Sequence, residues 1–313
     1  MRSNVRKLRA AILFCACIGV LTLAARAQNS SLRSLTIVTE PEAAVWIDDV
    51  NYGKTDAGGK LALKTFATGA HKIRVRANGF KEVSQNLLPA QTGELKIELV
   101  KTTDQAELAF QEAEEMAALD REKAAELYKK AARLRPKYPE ALLGLARTLA
   151  GMGEHSEALK AIQSARRARP AFAEASAVEG RIYKEMGNET KAIASFKRAV
   201  TEGKGYQPEA LTGLGLLYKD RAEAAASEAD FEAEKQNYVL AAAELKKAAA
   251  QLARAPDAVV IYQQLGDAYE RAKMYPEAIK IYEEFLRAFP ELPEAETFRS
   301  FIVQIQKRMK EEQ

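Results

Sequence analysis

Cysteine is almost absent. Of 313 residues only Cys15 and Cys17 carry a thiol, and both fall in the first segment. Without that segment the chain has no disulfide and no cysteine metal site. Histidine is nearly as scarce, with His71 and His155 far apart. No cluster of metal-ligating side chains, no nucleophile beside a base and no glycine-rich phosphate cradle accompanies them, so the sequence implies a non-enzymatic protein without metal or cofactor. Excess charge is missing too. The formal net of +4 comes from residues 1–27, which hold five basic residues and no acid, whereas 28–313 hold 42 basic and 43 acidic residues. A near-neutral body gives no electrostatic reason to bind nucleic acid. With 10 prolines, 17 glycines, 47% hydrophobic and 29% charged residues, the chain is neither disordered, collagen-like nor a disulfide scaffold, and it is long enough for two domains.

The first 27 residues carry an export pattern. Arg2, Arg6, Lys7 and Arg9 precede an uncharged, mostly apolar tract from Ala10 to Ala25, and Ala25-Arg26-Ala27 forms an A-x-A site followed by Gln28. A basic start, a short apolar core and small residues at −3 and −1 describe a secretory signal peptide cleaved after Ala27. The tract is short for a spanning helix, which needs about 20 residues; retention as an anchor is the alternative. Membrane contact is then only transient, and the expected location is the periplasm or the cell surface.

Residues 33–100 switch to a period of two. Short runs such as Leu35-Thr36-Ile37-Val38, Val45-Trp46-Ile47, Leu61-Ala62-Leu63, Ile73-Arg74-Val75 and Leu95-Lys96-Ile97 are separated by Glu40-Pro41-Glu42, Asp48-Asp49, Gly58-Gly59 and Asn78-Gly79. The pattern predicts a small antiparallel β-sandwich. Trp46, borne on a strand, is expected in its core. Asp48 and Asp49, with Glu40 and Glu42, read as solvated turn charges, because they lack the spacing of a calcium loop. Gly53-Lys54-Thr55 imitates the end of a phosphate-binding loop without the earlier glycine or a following helix, so it reads as hairpin.

These residues carry a resemblance. Thr39 through Asp48, then Tyr52-Gly53-Lys54-Thr55, Thr68 through Val75 and Asn78-Gly79-Phe80 resemble the PEGA domain, with Ala43 standing where that family's name has glycine. The resemblance implies a small module of exported bacterial envelope proteins with a binding or spacing role.

Residues 105–292 repeat. Pro136 and Pro170 are 34 apart, as are Pro256 and Pro290. Leu142, Leu145, Ala146, Ala158, Ile162 and Ala165 recur in kind as Gly180, Tyr183, Ala192, Phe196 and Ala199, as Leu211, Leu214, Gly215 and Tyr218, and as Leu265, Gly266, Tyr269, Ala278 and Tyr282. This array resembles about five tetratricopeptide repeats (TPR), which implies an all-α superhelical solenoid with a concave groove. The fourth unit is 17 residues too long; its Ala- and Glu-rich excess near 220–238 predicts two elongated helices. Residues 293–313 place Phe298, Phe301, Ile302 and Ile305 at helical spacing, expected as a capping helix.

The TPR resemblance also implies which residues line the groove. From the first helix of each unit these are Glu140, Leu143 and Arg147; Glu174, Ala177, Arg181 and Lys184; Thr212 and Lys219; then Gln263, Gln264, Asp267, Glu270 and Arg271. Arg147, Arg181, Lys184, Lys219, Gln263, Gln264 and Asp267 form the expected protein-binding surface, basic in the middle and acidic or amide at its C-terminal end. Leu143 and Arg147 stand where the chaperone-tail-binding branch carries its carboxylate clamp, so a C-terminal carboxylate ligand is not implied. The expectation is an envelope scaffold that holds partner proteins or peptides. The alternative is a binder of cell-wall polysaccharide through the β module, with the solenoid as spacer.

Overall fold

A computed structural model describes residues 33–66, 71–252 and 255–311. The export pattern with Ala25, Ala27 and Gln28 lies outside the described residues, as does Thr68-Gly69-Ala70 of the PEGA-like stretch.

Among the described residues seven strands come first: β1 (Arg33–Val38), β2 (Ala44–Ile47), β3 (Val50–Lys54), β4 (Lys60–Phe66), β5 (His71–Arg76), β6 (Val83–Leu87) and β7 (Gly93–Lys96). They form two sheets ordered β4-β1-β7 and β3-β2-β5-β6. Alternation turns Leu35 and Ile37 of β1, Val45 and Ile47 of β2, and Ile73 and Val75 of β5 inward, and these buried side chains share one core. The all-antiparallel arrangement expected from the sequence fails at one pair. β1 runs parallel to β7, with Leu35 beside Gly93 and Val38 beside Lys96. Parallel neighbours require a long crossover, and the intervening strands β2 to β6 supply it.

Thr55 fixes the first turn. Its buried hydroxyl donates to the Glu40 carbonyl at 2.7 Å and accepts from the Ala43 N–H at 2.8 Å, and its own N–H donates to the Ala43 carbonyl at 2.9 Å. The left-handed backbone falls on Glu42, with φ +56°, so Ala43 needs no glycine's freedom. Gly53 and Lys54 lie on β3, on a hairpin strand and not at a helix entrance.

Eleven helices follow among the described residues: α1 (Gln105–Met116), α2 (Arg121–Leu134), α3 (Pro139–Gly151), α4 (His155–Ala168), α5 (Ala173–Glu185), α6 (Glu189–Glu202), α7 (Pro208–Ser227), α8 (Phe231–Leu252), α9 (Ala258–Arg271), α10 (Tyr275–Ala288) and α11 (Ala295–Glu311). The starts are chemically marked. Asp104, Asp120 and Asn188 cap α1, α2 and α6 through their side chains, and prolines occupy the first turn of α3, α7 and α10. α7 and α8 run 20 and 22 residues against 12 to 14 in the other paired helices. Residues 221–226, Arg-Ala-Glu-Ala-Ala-Ala, hold no helix breaker in the lengthened part of α7.

The pairs close on small residues. Phe196 of α6, 1% exposed, lies between Gly180 of α5 and Gly213 of α7; a Cβ built on either glycine would come within 2.6 and 2.3 Å of its ring. Burying such a ring contributes about 1.5–3 kcal/mol. At the C-terminal end, Phe298 of α11 stacks on Phe285 of α10 with centroids 3.7 Å apart, closing that end of the apolar stack. No described helix is long and apolar enough to cross a membrane.

Candidate functional site

The β strands and the helices make one compact unit from residue 32 onward, and they meet first beside α1. Residues 101–104, which join the β module to α1, are no free tether. Lys101 bridges to Phe80, the Thr102 N–H donates to the Gly79 carbonyl at 2.8 Å, and Asp104 opens α1. Gln111 of α1, buried, accepts from the Gly79 N–H at 2.8 Å and donates to the Phe80 carbonyl at 2.7 Å. Arg76 of β5, also buried, reaches Glu82 at 2.6 Å and Glu114 of α1 at 3.2 Å, with the Phe110 ring 4.5 Å away. Burial works against its charge, but Glu82 and Glu114 outweigh that and raise its pKa.

At its other end the β module approaches the concave side of the solenoid. Asp48 and Asp49 form the two-residue turn of the β2–β3 hairpin, both with positive φ (+49° and +65°), as such a tight turn demands. They are not merely solvated. Asp48 meets the His71 ring at 2.5 Å and accepts from the Lys72 N–H at 2.8 Å, and Asp49 lies 3.6 Å from Arg74. Trp46 is not core either. On β2 it alternates out of phase with Val45 and Ile47, is half-buried, and lies under the Arg74 guanidinium at 4.3 Å. Between this hairpin and helices α3, α5, α7 and α9 is a cavity of about 1020 Å³.

The structure divides the sequence-predicted groove residues. Arg147 of α3 and Arg181 and Lys184 of α5 line the cavity. Lys219, Gln263, Gln264 and Asp267 do not; three of them form a separate cluster, where the nearly buried Lys219 ammonium donates to Gln264 at 2.7 Å and to Asp267 at 2.5 Å. Arg271 adds an ion pair to Asp267 at 3.7 Å.

The three cations on the cavity wall are already paired. Glu209, in the first turn of α7, lies 3.0 Å from Arg147 and 3.5 Å from Arg181, and Asp220 lies 2.7 Å from Lys184. Partial desolvation on the cavity wall works against the Arg147 charge, but Glu209, Glu114 and Glu174 outweigh it and hold its pKa up. Sequence reasoning missed Glu209. It sits beside Pro208 at a helix start, a place that reads as capping, and only the packing of α7 against α5 turns it toward the arginines. The β-module side of the cavity was missed as well: Trp46, Asp48, Asp49, Val50, Asn51 and Lys72 line it. Their acidic groups register across the gap. Burial and then Asp49 raise the pKa of Glu174, and burial and then Asp48 raise that of Tyr206; within the hairpin itself, burial and then Asp48 push the Tyr52 phenol up to about 12. Among the described residues no group of three or more His, Cys, Asp or Glu is arranged to hold a metal.

This geometry is a chamber walled by the hairpin on one side and by helices on the other. Tetratricopeptide-repeat models match residues 115–182, 173–202 and 259–300. Among solved structures, yeast Tom70 is similar with a TM-score of 0.52 at 15% identity, over 66% of this chain and 41% of that one, so the chain spans less than half of Tom70. A thermophilic TPR protein from Thermus thermophilus scores 0.44 at 21% identity, over 64% of this chain and 98% of its own. MamA from Desulfovibrio magneticus scores 0.43 at 18%, over 61% and 98%. No curated protein matches the sequence. The likeness to Tom70 shows the fold alone; with the sequence models it establishes that the helical part of this chain is a solenoid carrying tetratricopeptide repeats.

Proposed function

We propose that the chain is a non-enzymatic scaffold of the bacterial cell envelope that holds a partner protein or peptide in the concave groove of its repeats. The observation that carries this reading is the chamber of about 1020 Å³ with Arg147, Arg181 and Lys184 on its helical wall. Repeat solenoids present such concave surfaces to extended partners, and the three cations, held in partly exposed ion pairs to Glu209 and Asp220, favour a segment whose acidic side chains take the place of those partners. The export pattern at residues 1–27 and the PEGA-like stretch support an envelope location, in the periplasm or at the cell surface.

The rival reading gives the β module to cell-wall polysaccharide. Sugar stacking uses an open aromatic face, and the guanidinium of Arg74 lies over the ring of Trp46, the chain's single tryptophan. Protein binding is therefore the better supported. The test is affinity capture from a native envelope extract by the full chain, beside a variant with Arg147→Glu, Arg181→Glu and Lys184→Glu. A partner retained by the parent and lost by the variant supports the groove. Co-sedimentation with cell-wall sacculi, with no protein enriched and no effect of the reversals, overturns it in favour of the polysaccharide reading.

A further inference from the structure

The β2–β3 hairpin ends on an apolar residue that its own module does not use. Val50 follows the Asp48-Asp49 turn and is only 5% exposed, yet it has no place in the core that joins the two sheets. It belongs instead to the apolar cluster of the solenoid that includes Leu211 of α7, Leu252 of α8 and Ile261 of α9. Tyr52, two residues on, packs against both cores. A turn that faced only water would have no cause to end on a buried branched side chain.

The rest of the tip leaves the groove unfilled. Its two carboxylates are held inside their own sheet by His71, the Lys72 N–H and Arg74, while Arg147, Arg181 and Lys184 are paired to Glu209 and Asp220. One apolar seat is thus occupied in cis, and the cations beside it are engaged by the solenoid's own acids.

We propose that the β2–β3 tip is a built-in occupant of the groove, with Val50 as its latch, and that the partner enters by displacing it with a segment of the same chemistry: a branched apolar residue next to an acidic pair. This rests on the groove being the working surface. Such a segment fills the seat of Val50 and brings carboxylates to Arg147, Arg181 and Lys184, which the tip's own acids do not pair. A tethered hairpin competes at an effective concentration of about millimolar, so the closed chain binds a free competitor more weakly than an unlatched one.

The test uses the full chain and a fluorescently labelled peptide of residues 44–54, cyclised to keep the turn. Trp46 lines the cavity and is the chain's single tryptophan, so its emission, recorded before the peptide with its own copy of that residue is added, reports the latch. Val50→Asp should shift that emission to the red, leave the far-ultraviolet circular dichroism unchanged, and bind the peptide at least about tenfold more tightly than the parent. Val50→Thr, nearly isosteric, should move both readouts the same way by less and guards against a misfolded aspartate variant. Adding Leu216→Glu, a half-buried residue of α7 on the cavity wall, to Val50→Asp should abolish the gain. Equal peptide affinity in parent and both Val50 variants, or no peptide binding to any of them, overturns the latch. If partner capture still depends on Arg147, Arg181 and Lys184 in that event, the scaffold reading stands and the latch alone falls; if capture is insensitive as well, both fall.

Discussion

The β module touches the solenoid at two places built from opposite materials. Beside α1, the contact is polar and buried: Gln111 satisfies a backbone donor and a backbone acceptor of the Gly79–Phe80 turn, and Arg76 joins Glu82 to Glu114. Across the groove, the contact is apolar and small: Val50 seated beside a large cavity, with Tyr52 packed against the same cluster. Polar joints of the first kind are hard to open, because separation strands buried donors and acceptors away from water unless both sides are rehydrated together. The second kind opens at the cost of a little apolar area, about 25 cal/mol per Å². The same module is therefore fixed at one end and releasable at the other, which is the arrangement of a hinged cover.

The largest effect belongs to the fixed joint. Gln111→Leu leaves the Gly79 N–H and the Phe80 carbonyl without their partner and should lower stability by about 2–4 kcal/mol. Calorimetry should also show the β module and the repeats melting together in the parent and apart in the variant, as the two uncouple. A transition that stayed single and unshifted would erase the contrast, since both contacts would then be incidental.

Gly266→Ala is the control within the solenoid, at a glycine that packs on Tyr282 and touches neither hairpin tip nor α1. A Cβ there would sit 2.1 Å from the Tyr282 ring, so α9 and α10 must part. Overpacking of this kind costs about 1–3 kcal/mol. The melting temperature should fall while the emission of Trp46 in the native state stays put. An emission change would mean that strain in the fifth unit reaches the hairpin, and the tip could no longer be treated as an independent contact.

The legibility of these regions differs for the same physical reason. The repeats are readable because a packed helix pair imposes residue size at fixed spacing. Gly180, Phe196, Gly266 and Tyr282 announce the contacts they make. Five strands are readable from alternation, β7 among them, although its parallel pairing depends on where a long crossover returns and not on its own side chains; β3 and the largely exposed β6 carry no such alternation. The site is legible by half. Helical register places Arg147, Arg181 and Lys184 on the cavity wall. It gives no warning that Glu209 neutralises two of them, or that Lys219 closes on Gln264 and Asp267 in a cluster of its own. Residue type alone assigns Trp46 to the core, although its phase against Val45 and Ile47 already puts it on the opposite face. An apolar Val50 directly after an Asp-Asp turn is the one available sign that the hairpin tip meets another surface.

Glu209→Gln sharpens the releasable side. Because Arg147 and Glu209 are each about a third to a half exposed, losing the pair should change stability by less than about 1 kcal/mol. Binding should respond more. With the carboxylate gone, Arg147 loses its ion-pair partner and Arg181 keeps only the long contact to Glu185 at 4.0 Å, so retention of an acidic partner at low salt should rise severalfold and fall more steeply as salt is added. Unchanged retention would place the binding surface elsewhere on the solenoid.

The smallest effect should be the most diagnostic of the gap itself. Burial and the facing Asp49 raise the pKa of Glu174, with Arg147 and Arg169 opposing. A carboxyl whose pKa is raised on folding binds its proton more tightly in the native state than in the unfolded chain. Its contribution to stability is therefore present at pH below the ordinary carboxylate range and is lost as pH rises through the raised value. Glu174→Gln removes that loss. The variant should match the parent near pH 4 and exceed it at pH 7 by up to about 1 kcal/mol, the scale of a partly exposed charge interaction. In the Val50→Asp background, with the tip released, Asp49 no longer faces Glu174, so most of the difference at pH 7 should vanish. If the full difference survives there, burial within α5 alone accounts for the shift, and Asp49 contributes nothing across the groove.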